Sequence, residues 1–592
     1  MHNDMPALSA EVASVSISPV GVDPVTMEIV RNNLMATAQG ITRRMIRSAN
    51  SFIVKEMEDC AASILDPRGQ LLAEEAGPPI QLNTVGICLK TILDHCIPAS
   101  DWRPGDVVVT NDPFAGGESL GTTHSNDYMA YHPIFFEGEL VAFVGLMVHH
   151  LDIGAIHMGS RGWGVEIFQE GVRLPPMKIV KEGVLDRNVM AIVLTNSRTP
   201  DVLENDLVSQ LSSVQVATDD IQKLFRKYGI GTMRACFEAL MDYSERATRA
   251  EIARIPDGVY HHQEPVLDDG AEGGPHWLRL TLTKRGTDIT LDLTESDPQI
   301  KGPINSPLST TLAAIYYTLR CVTGASVPTN EGCKRPIKVV TKPGTLVNAK
   351  SPAAVMQRMI VCHTLVDLVM GALSAAVPER VMGDSCGCLY NFVHGLHPET
   401  GRILTFGEVV PGGIGATAGA DGINIMACHV TNLHIPPVEA AEVESPVLFI
   451  RREFRTDSGG PGRFRGGVGQ VLTYRVLAKE PRLHHTSQKS VSLPQGVAGG
   501  KPGGAGRWVI NEGQENEYTL PFAIGDIVKL QEGDTVTHYT PGGGGYGPPH
   551  EREPWRVKAD VEAGLLSVAS AERDYGIVIN PETLEIAAIS RS

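Results

Sequence analysis

A histidine and an aspartate three residues apart, His124 and Asp127, are the side chains whose types and spacing best suit metal chemistry in this sequence. On one helical turn or in a tight loop, that separation brings an imidazole and a carboxylate to a common point. Two adjacent histidines, His149 and His150, end an apolar run further along the chain, and Asp152 follows them. Two imidazoles and a carboxylate with an open coordination position would suit a catalytic zinc or manganese ion.

The adjacent histidines cannot both reach one ion from a strand, because consecutive side chains point to opposite faces. The spacing alone leaves open which of His149 and His150 joins His124 and Asp127. The other histidine would support the site from behind, and Asp152, on the same face as His150, could orient it. The alternative is ordinary hydrogen bonding by polar side chains in a loop-rich segment.

Other common catalytic motifs are absent from the sequence or lack the secondary structure that they need. The sequence has no His-Glu-x-x-His motif, no His-x-His pair and no Walker A phosphate loop. A Gly-x-Ser-x-Gly match at residues 383–387 lacks a clear strand–turn–helix frame, and glycine is common enough here for the match to arise by chance. No catalytic nucleophile is therefore assigned, and no nucleotide-binding site is expected in this chain.

The segments around these residues predict alternating helices and hairpins. A helix is expected from the Asp23-Pro24 cap toward Arg47, followed by a hairpin over residues 62–73 and a strand at 107–110. A second hairpin over residues 134–148 would end at the two histidines. Further helices are predicted near residues 218–254, 355–376 and 557–575, with short strands and glycine-rich turns between them.

The composition favours a large, turn-rich protein over a helical bundle. The 592 residues include 61 glycines and 39 prolines, and 42% of residues are hydrophobic, which is ample for large cores. The predicted fold class is α+β, a strand-rich multi-layer body with several helices. The predicted regions are a flexible lead-in at 1–22, a metal-site domain at 23–254, a mixed α/β region at 255–395, a glycine-rich β region at 396–548 and a helical tail at 549–592.

Charge and hydropathy limit the partners and the compartment. The formal net charge of −17 at pH 7 argues against a nucleic-acid-binding surface, which needs clustered positive charge. No apolar run approaches the roughly 18 residues of a membrane span, and the first residues lack the basic start and apolar core of a secretory signal. Ten cysteines are too sparse for a disulfide scaffold. A cytoplasmic protein without nucleic-acid or membrane partners is expected.

Several short blocks of sequence follow one another along nearly the whole chain. They are residues 103–107, 111–113, 116–117, 124–127, 149–152, 170–176, 330–332, 335–336, 457–460, 465–467, 541–547 and 575–576. Together they resemble the hydantoinase B family from about residue 23 to residue 580. That family includes subunits of ATP-dependent hydantoinases, N-methylhydantoinase and caprolactamase, the matching part of 5-oxoprolinase, and subunits of acetone and acetophenone carboxylases. The match is specific for the family, not for one substrate.

The resemblance implies a hydantoinase B-like fold and one divalent metal ion, zinc or manganese. Matching the family's motifs residue by residue places the metal ligands on Asp59, His124, Asp127 and His149. The same matching gives His150 and Asp152 a supporting or proton-handling role outside the ligand set.

Two departures from the family pattern bear on the ligand set. Asp59 is followed by Cys60 and Ala61 instead of an aromatic residue and a serine, and the loop before His124 is several residues longer than usual. Asp66 is a nearby competitor for Asp59, although its Asp-Pro-Arg-Gly setting is typical of a turn.

The resemblance also implies a division of labour within an α–β hetero-oligomer. A larger partner of the hydantoinase A type, similar to sugar kinases and actins, would bind ATP and magnesium and activate the substrate carbonyl. This chain would carry the metal that activates water. The expected reaction is hydrolysis of 5-substituted hydantoins to N-carbamoyl amino acids, a cleavage of C–N bonds in a cyclic amide. The alternatives are a subunit of an ATP-dependent ketone carboxylase, a lactam or 5-oxoproline hydrolase subunit not in the fused oxoprolinase form, and a non-catalytic scaffold.

Overall fold

The computed structural model describes residues 22–159, 164–269, 273–324, 327–520 and 527–590. The predicted lead-in at 1–22 therefore lies, apart from Val22, outside the described residues. Within them, no helix combines the length and the hydropathy needed to cross a bilayer. The α-helices of the described part are α1 (Pro24–Ser48), α2 (Phe52–Lys55), α3 (Thr84–His95), α4 (Arg187–Thr195), α5 (Pro200–Ala253), α6 (Leu308–Thr323), α7 (Met359–Ser374), α8 (Val438–Glu444), α9 (Pro554–Glu562) and α10 (Val568–Tyr575).

In the described part of the chain, the strands up to residue 340 form two sheets. The larger contains β1 (Cys60–Leu65), β2 (Leu71–Ala76), β3 (Val107–Thr110), β4 (Asp127–Phe136), β5 (Glu139–His149), β6 (Met177–Lys181) and β7 (Val184–Leu185). Its spatial order is β2-β1-β5-β4-β3-β6-β7. The smaller contains β8 (Gly258–Val266), β9 (His276–Arg285), β10 (Asp288–Asp292) and β11 (Ile337–Val340).

The second half of the chain adds three further sheets. Its strands are β12 (Leu389–Leu396), β13 (Ile403–Val409), β14 (Val447–Phe454), β15 (Gln470–Val476), β16 (Lys479–Ser487), β17 (Arg507–Ile510), β18 (Tyr518–Thr519), β19 (Val528–Lys529), β20 (Thr535–Tyr539), β21 (Ile577–Ile579) and β22 (Ile586–Ile589). Their spatial orders are β13-β12-β16-β19, β14-β15-β20-β17-β18 and β21-β22. The several sheets with interspersed helices confirm the predicted α+β class.

The central strands of the seven-stranded sheet are buried on both faces. Val109 on β3 packs in one core with α1 and α5, whereas Val108 beside it packs in a second core with α3. Because both faces are covered, the strands lack the polar alternation that marks a half-exposed strand. The predicted hairpin at 134–148 is confirmed, but its first strand begins at Asp127 because of this two-sided burial.

The predicted helices are present, with shifted bounds. The helix expected at 218–254 begins at Pro200, because Leu203 and Leu207 already bury helix-spaced side chains against the sheet. Gly229 interrupts its helical geometry with φ 75° and ψ 159°. The predicted tail helix is confirmed as α9 and α10, and the small sheet of β21 and β22 follows them.

A buried cation ties three distant segments together. Lys489, after β16, lies 2.9 Å from Asp367 on α7 and 2.9 Å from Asp384 in the loop before β12. Although burial alone would lower the pKa of Lys489, the two carboxylates hold it above its ordinary value. The ammonium group therefore stays charged and offsets part of the cost of burying Asp367, whose pKa is raised by burial and by the nearby Asp384.

Replacing Lys489 by methionine is expected to leave Asp367 and Asp384 in the interior without a cation. Removing one partner of a buried ion pair typically costs about 3–5 kcal/mol, so the free energy of unfolding should fall by that order. Lys223→Met, which removes an exposed pair with Asp220, should cost less than about 1 kcal/mol. Urea denaturation followed by tryptophan fluorescence measures both, and equal midpoints would contradict the role given to Lys489.

Candidate metal centre

Three neighbouring strands bring the predicted ligands to one end of the large sheet. Asp127 is the first residue of β4 and pairs across the strands with His149, the last residue of β5. Asp59 directly precedes β1, whose first residue pairs with Val148. His124 joins them through a tight turn in which its carbonyl accepts the Asp127 amide at 3.1 Å, so the predicted turn geometry of this pair is confirmed.

Both imidazoles converge on one carboxylate oxygen. His124 Nε2 and His149 Nδ1 each lie 3.0 Å from Asp127 Oδ1. One ligand atom from each of the three residues lies within 4.8 Å of the other two. His124 and Asp127 are 1% exposed and His149 is 7% exposed. The three side chains are therefore close enough to share one ion with little rearrangement.

Asp59 lies at the border of this triad. Its Oδ2 is 3.9 Å from His149 Nδ1, and its Oδ1 accepts a hydrogen bond from Gln81 Nε2 at 2.6 Å. Asp66, the competitor considered above, instead accepts the backbone amides of Arg68 and Gln70 at 2.9 and 2.8 Å. Asp66 therefore closes the β1–β2 turn, as its sequence setting indicates, and Asp59 is the carboxylate next to the triad.

The second oxygen of Asp127 has its own partners. Asp127 Oδ2 accepts hydrogen bonds from the Thr123 hydroxyl and from Arg358 Nη2, the latter at 3.3 Å. Arg358 Nη2 also donates to Thr123 Oγ1 at 3.0 Å. These contacts fix the carboxylate so that Oδ1 faces the two histidines. Such outer partners orient ligands in protein metal sites.

Sequence patterns did not reveal three of the residues in this network. Thr123 could have been identified from the sequence, because it directly precedes His124. Gln81 and Arg358 lie far from the motif in sequence, and Arg358 is 231 positions from its partner Asp127. No local pattern reports such a contact.

His150 points away from the triad, as strand alternation predicts. Its Nε2 lies 3.1 Å from Gln210 Oε1, while Gln210 Nε2 donates to the Tyr128 and Leu146 carbonyls. The Gln210 oxygen is thus the acceptor, and His150 carries its proton on Nε2. His150 therefore anchors the end of β5 to α5.

The expected orientation of His150 by Asp152 is not found. Asp152 accepts hydrogen bonds from the Arg198 backbone amide at 2.5 Å, from Arg198 Nη1 at 2.7 Å and from the Gly154 amide at 3.2 Å. The chain turns after His150, so the two side chains no longer share a strand face. Asp152 pairs with Arg198 in the following loop.

Burial and neighbouring charges tune the protonation of the triad. Burial, reinforced by Arg358, lowers the pKa of His124 to about 3. Burial alone would raise the pKa of Asp127, but the two imidazoles and Arg358 hold it well below its ordinary value. The site therefore presents a neutral His124 and an ionised carboxylate, the forms that bind metals.

The donor set fits a divalent ion. Two imidazoles and a carboxylate are ligands that both zinc and manganese accept. His124 Nδ1 is buried without a hydrogen-bond partner among the described residues, and Nε2 is the ring nitrogen that faces Asp127 Oδ1. The short distances between the three candidate ligand atoms also fit the binding of one divalent ion.

The triad opens into a small cavity of about 60 Å³ with a largely apolar wall. The Phe392 ring in this wall is held between two glycines: a Cβ at Gly159 would lie 2.3 Å from the ring, and one at Gly407 would lie 2.7 Å from it. Any larger residue at either position would push Phe392 out of place. The other large apolar residues of the wall include Ile53, Met57, Met356, Met359 and Tyr390.

One family model matches most of this chain, and several known proteins are similar to it over nearly its whole length. The family model described as Hydantoinase B/oxoprolinase matches residues 23–549. A Pseudomonas sp. (strain NS671) protein provisionally named as the B-type subunit of a D-/L-hydantoinase is 31% identical, over 94% of this chain and 95% of its own length. The beta subunit of the Pseudomonas jessenii caprolactamase is 30% identical, over 94% and 97% of the two chains. The crystal structure of the ATP-dependent caprolactamase from that organism superposes with a TM-score of 0.87 at 29% identity, covering 95% of this chain and 97% of that one.

Removing a triad side chain is expected to abolish tight metal binding. His124→Ala and Asp127→Asn should each lower zinc or manganese affinity by more than the 10- to 100-fold typical of losing an outer partner. Asp59→Asn should have a smaller effect, because Asp59 lies outside the triad. Metal content after dialysis and titration calorimetry measure the series. His261→Ala, at an exposed histidine, is the matched control, and equal losses in it would contradict the assignment.

Metal affinity is expected to fall as the solution becomes acidic. Burial, aided by Asp127 and opposed by His149 and Gln81, raises the pKa of Asp59 to about 6. Below that pH an ion must displace a proton from Asp59, so apparent affinity should drop about tenfold per pH unit, whereas above it the dependence should flatten. Calorimetry between pH 5 and pH 8 tests this, since Asp59→Asn should lose that slope. The same slope in Asp59→Asn would contradict the role of Asp59.

Proposed function

The chain belongs to the hydantoinase B/oxoprolinase family, whose members include ATP-dependent cyclic amide hydrolases, and we propose that it is the metal-carrying subunit of an ATP-dependent hydantoinase. The reaction is the hydrolysis of 5-substituted hydantoins to N-carbamoyl amino acids. The observation that carries the proposal is the convergence of His124 and His149 on one oxygen of Asp127 at a buried cavity.

In this proposal His124, Asp127 and His149 hold one divalent ion, zinc or manganese, and Asp59 completes the set. Such an ion supplies Lewis-acid activation of water and of a carbonyl group. His150 supports the site by tying β5 to α5 through Gln210. Thr123 and Arg358 keep the second oxygen of Asp127 turned away from the histidines.

The apolar lining of the cavity suits a small ring. Met57, Tyr390 and Phe392 offer apolar surface that would contact the ring and exclude bulk water. Gln81 Oε1 is buried without a hydrogen-bond partner among the described residues, while Gln81 Nε2 is committed to Asp59. That carbonyl oxygen can accept a hydrogen bond from a ring N–H, which an amide ring provides and a simple ketone lacks.

ATP dependence requires a second subunit in this scheme. The carbonyls of hydantoins are stabilised by resonance with the ring nitrogens, and this sequence has no phosphate-binding loop with which to activate them. We propose a hydantoinase A-type partner that binds ATP and magnesium in a cytoplasmic hetero-oligomer. Both the hydantoinase relative and the caprolactamase relative are named as subunits of larger enzymes, which supports the existence of a partner.

The test is co-expression with the ATP-binding partner, followed by product analysis on a panel of 5-substituted hydantoins. Ring opening should require both chains, ATP and a divalent ion, and this chain alone should be inactive. His124→Ala should still assemble with the partner but lose at least about 100-fold in rate, because the site loses a metal ligand; His261→Ala should retain full activity. Ring opening without partner or ATP would reject the scheme, and full activity in His124→Ala would favour a scaffold role.

Lactam hydrolysis is the second candidate, favoured by one observation. The identity to the caprolactamase beta chain, 30%, nearly equals the 31% to the hydantoinase relative. Caprolactam and 5-oxoproline therefore belong in the same substrate panel. Incorporation of labelled bicarbonate into acetone or acetophenone, in place of ring opening, would instead identify a ketone carboxylase.

A further inference from the structure

A buried arginine faces the cavity beside the triad. Arg358 directly precedes α7, is 5% exposed and lines the cavity wall. Its Nη2 donates to Thr123 and to Asp127 Oδ2, and its Nη1 lies 3.4 Å from the Met356 carbonyl. The contacts of its two Nη atoms therefore hold the guanidinium group in one orientation.

The Nε–H of Arg358 has no acceptor. Within the described residues, Nε is buried and lacks a hydrogen-bond partner. A buried N–H without an acceptor is unfavourable, and the penalty is larger for a charged group. Since the side chain lines the cavity, a bound reactant is the natural source of the missing acceptor.

The backbone around Arg358 is fixed by a buried carboxyl group. Glu170 Oε1 accepts the amides of Val355 and Met356, each at 2.8 Å. Burial raises the pKa of Glu170 to about 8, so this group is mostly uncharged at neutral pH. Glu170 therefore positions the segment that carries Arg358 without cancelling the charge of the guanidinium group.

The charges of the site favour an anion. Asp59 and Asp127, when ionised, and the protonated Arg358 together carry one net negative charge, and Glu408, which also lines the cavity, pairs with Arg452 at 2.6 Å. A divalent ion changes this to one net positive charge, next to an N–H that lacks an acceptor. An oxyanion would neutralise that charge and accept the hydrogen bond, and arginine is the side chain that suits phosphoryl oxygens best.

We propose that Arg358 binds a phosphoryl oxygen in the cavity, next to the metal-binding triad. The ligand class is an oxyanion carried by the reactant or left by it, and inorganic phosphate is its simplest form. This inference rests on the proposed function, in which ATP supplies the phosphoryl group. Arg358 then has two roles: it orients Asp127 through Nη2 and binds the reactant through Nε.

The experiment measures phosphate binding rather than turnover. The full chain, alone and with its co-expressed partner, is saturated with zinc or manganese and titrated with inorganic phosphate in a calorimeter. Arg358→Gln should weaken phosphate binding by about 10- to 100-fold, the range for loss of a charge-assisted hydrogen bond, and Arg358→Lys should recover part of it. Arg335→Gln is the control, because Arg335 pairs with Asp242 and Glu245 outside the cavity.

Metal content is measured in every sample, because Arg358 also contacts Asp127. Unchanged phosphate affinity in Arg358→Gln at equal metal loading, or no phosphate binding by the metal-loaded wild-type chain, would overturn the inference. If Arg358→Gln fails to fold, the phosphate affinity of Arg358→Lys is compared with that of the wild type. Equal affinities at equal metal loading would then overturn the inference. Arg358-dependent phosphate binding without hydantoin hydrolysis would uphold the inference and reject the substrate assignment.

Discussion

The candidate site depends on the strand register that sets Asp127 opposite His149. In an antiparallel pair, residues directly opposite each other have their side chains on the same face. The pairing of β1 with β5 adds Asp59 at the same end of the sheet. A shift of one residue in either pairing would turn the side chains to the other face. The two cores that cover the sheet oppose such a shift, because it would exchange their buried side chains.

This register would bury the charged Asp127 carboxylate without any compensating partner if no other polar group were near it. Asp127 is 1% exposed, and an isolated buried carboxylate is strongly unfavourable. Hydrogen bonds from Thr123 and Arg358 to Oδ2, and from the imidazoles to Oδ1, keep it ionised. Each oxygen of the Asp127 carboxylate therefore already has its own partners before any ion binds. The side chain needs to move little when an ion arrives, and this lowers the cost of binding.

Local patterns in the sequence predicted the ligands but not their surroundings. The separation of His124 and Asp127 and the alternation of side chains along a strand suffice to bring one histidine of the pair to the triad. The family resemblance selected His149 and added Asp59. Gln81 and Arg358 could not be found in this way, because their contacts depend on the packing of distant segments. The predicted contact between His150 and Asp152 is absent for a related reason. The chain leaves the strand direction between these residues, so strand alternation no longer describes where Asp152 points.

The candidate ligands and most of the cavity wall come from different parts of the chain. The candidate ligands lie at or next to the ends of β1, β4 and β5, whereas much of the wall comes from β12, β13 and the start of α7, with Met57 and Ile80 added from segments near Asp59. Three wall residues are methionines, Met57, Met356 and Met359, whose unbranched side chains adapt to ligands of different shape. Phe392 is the rigid exception, held between Gly159 and Gly407. Under the proposed function, residues of the wall rather than the triad would therefore determine which ring binds.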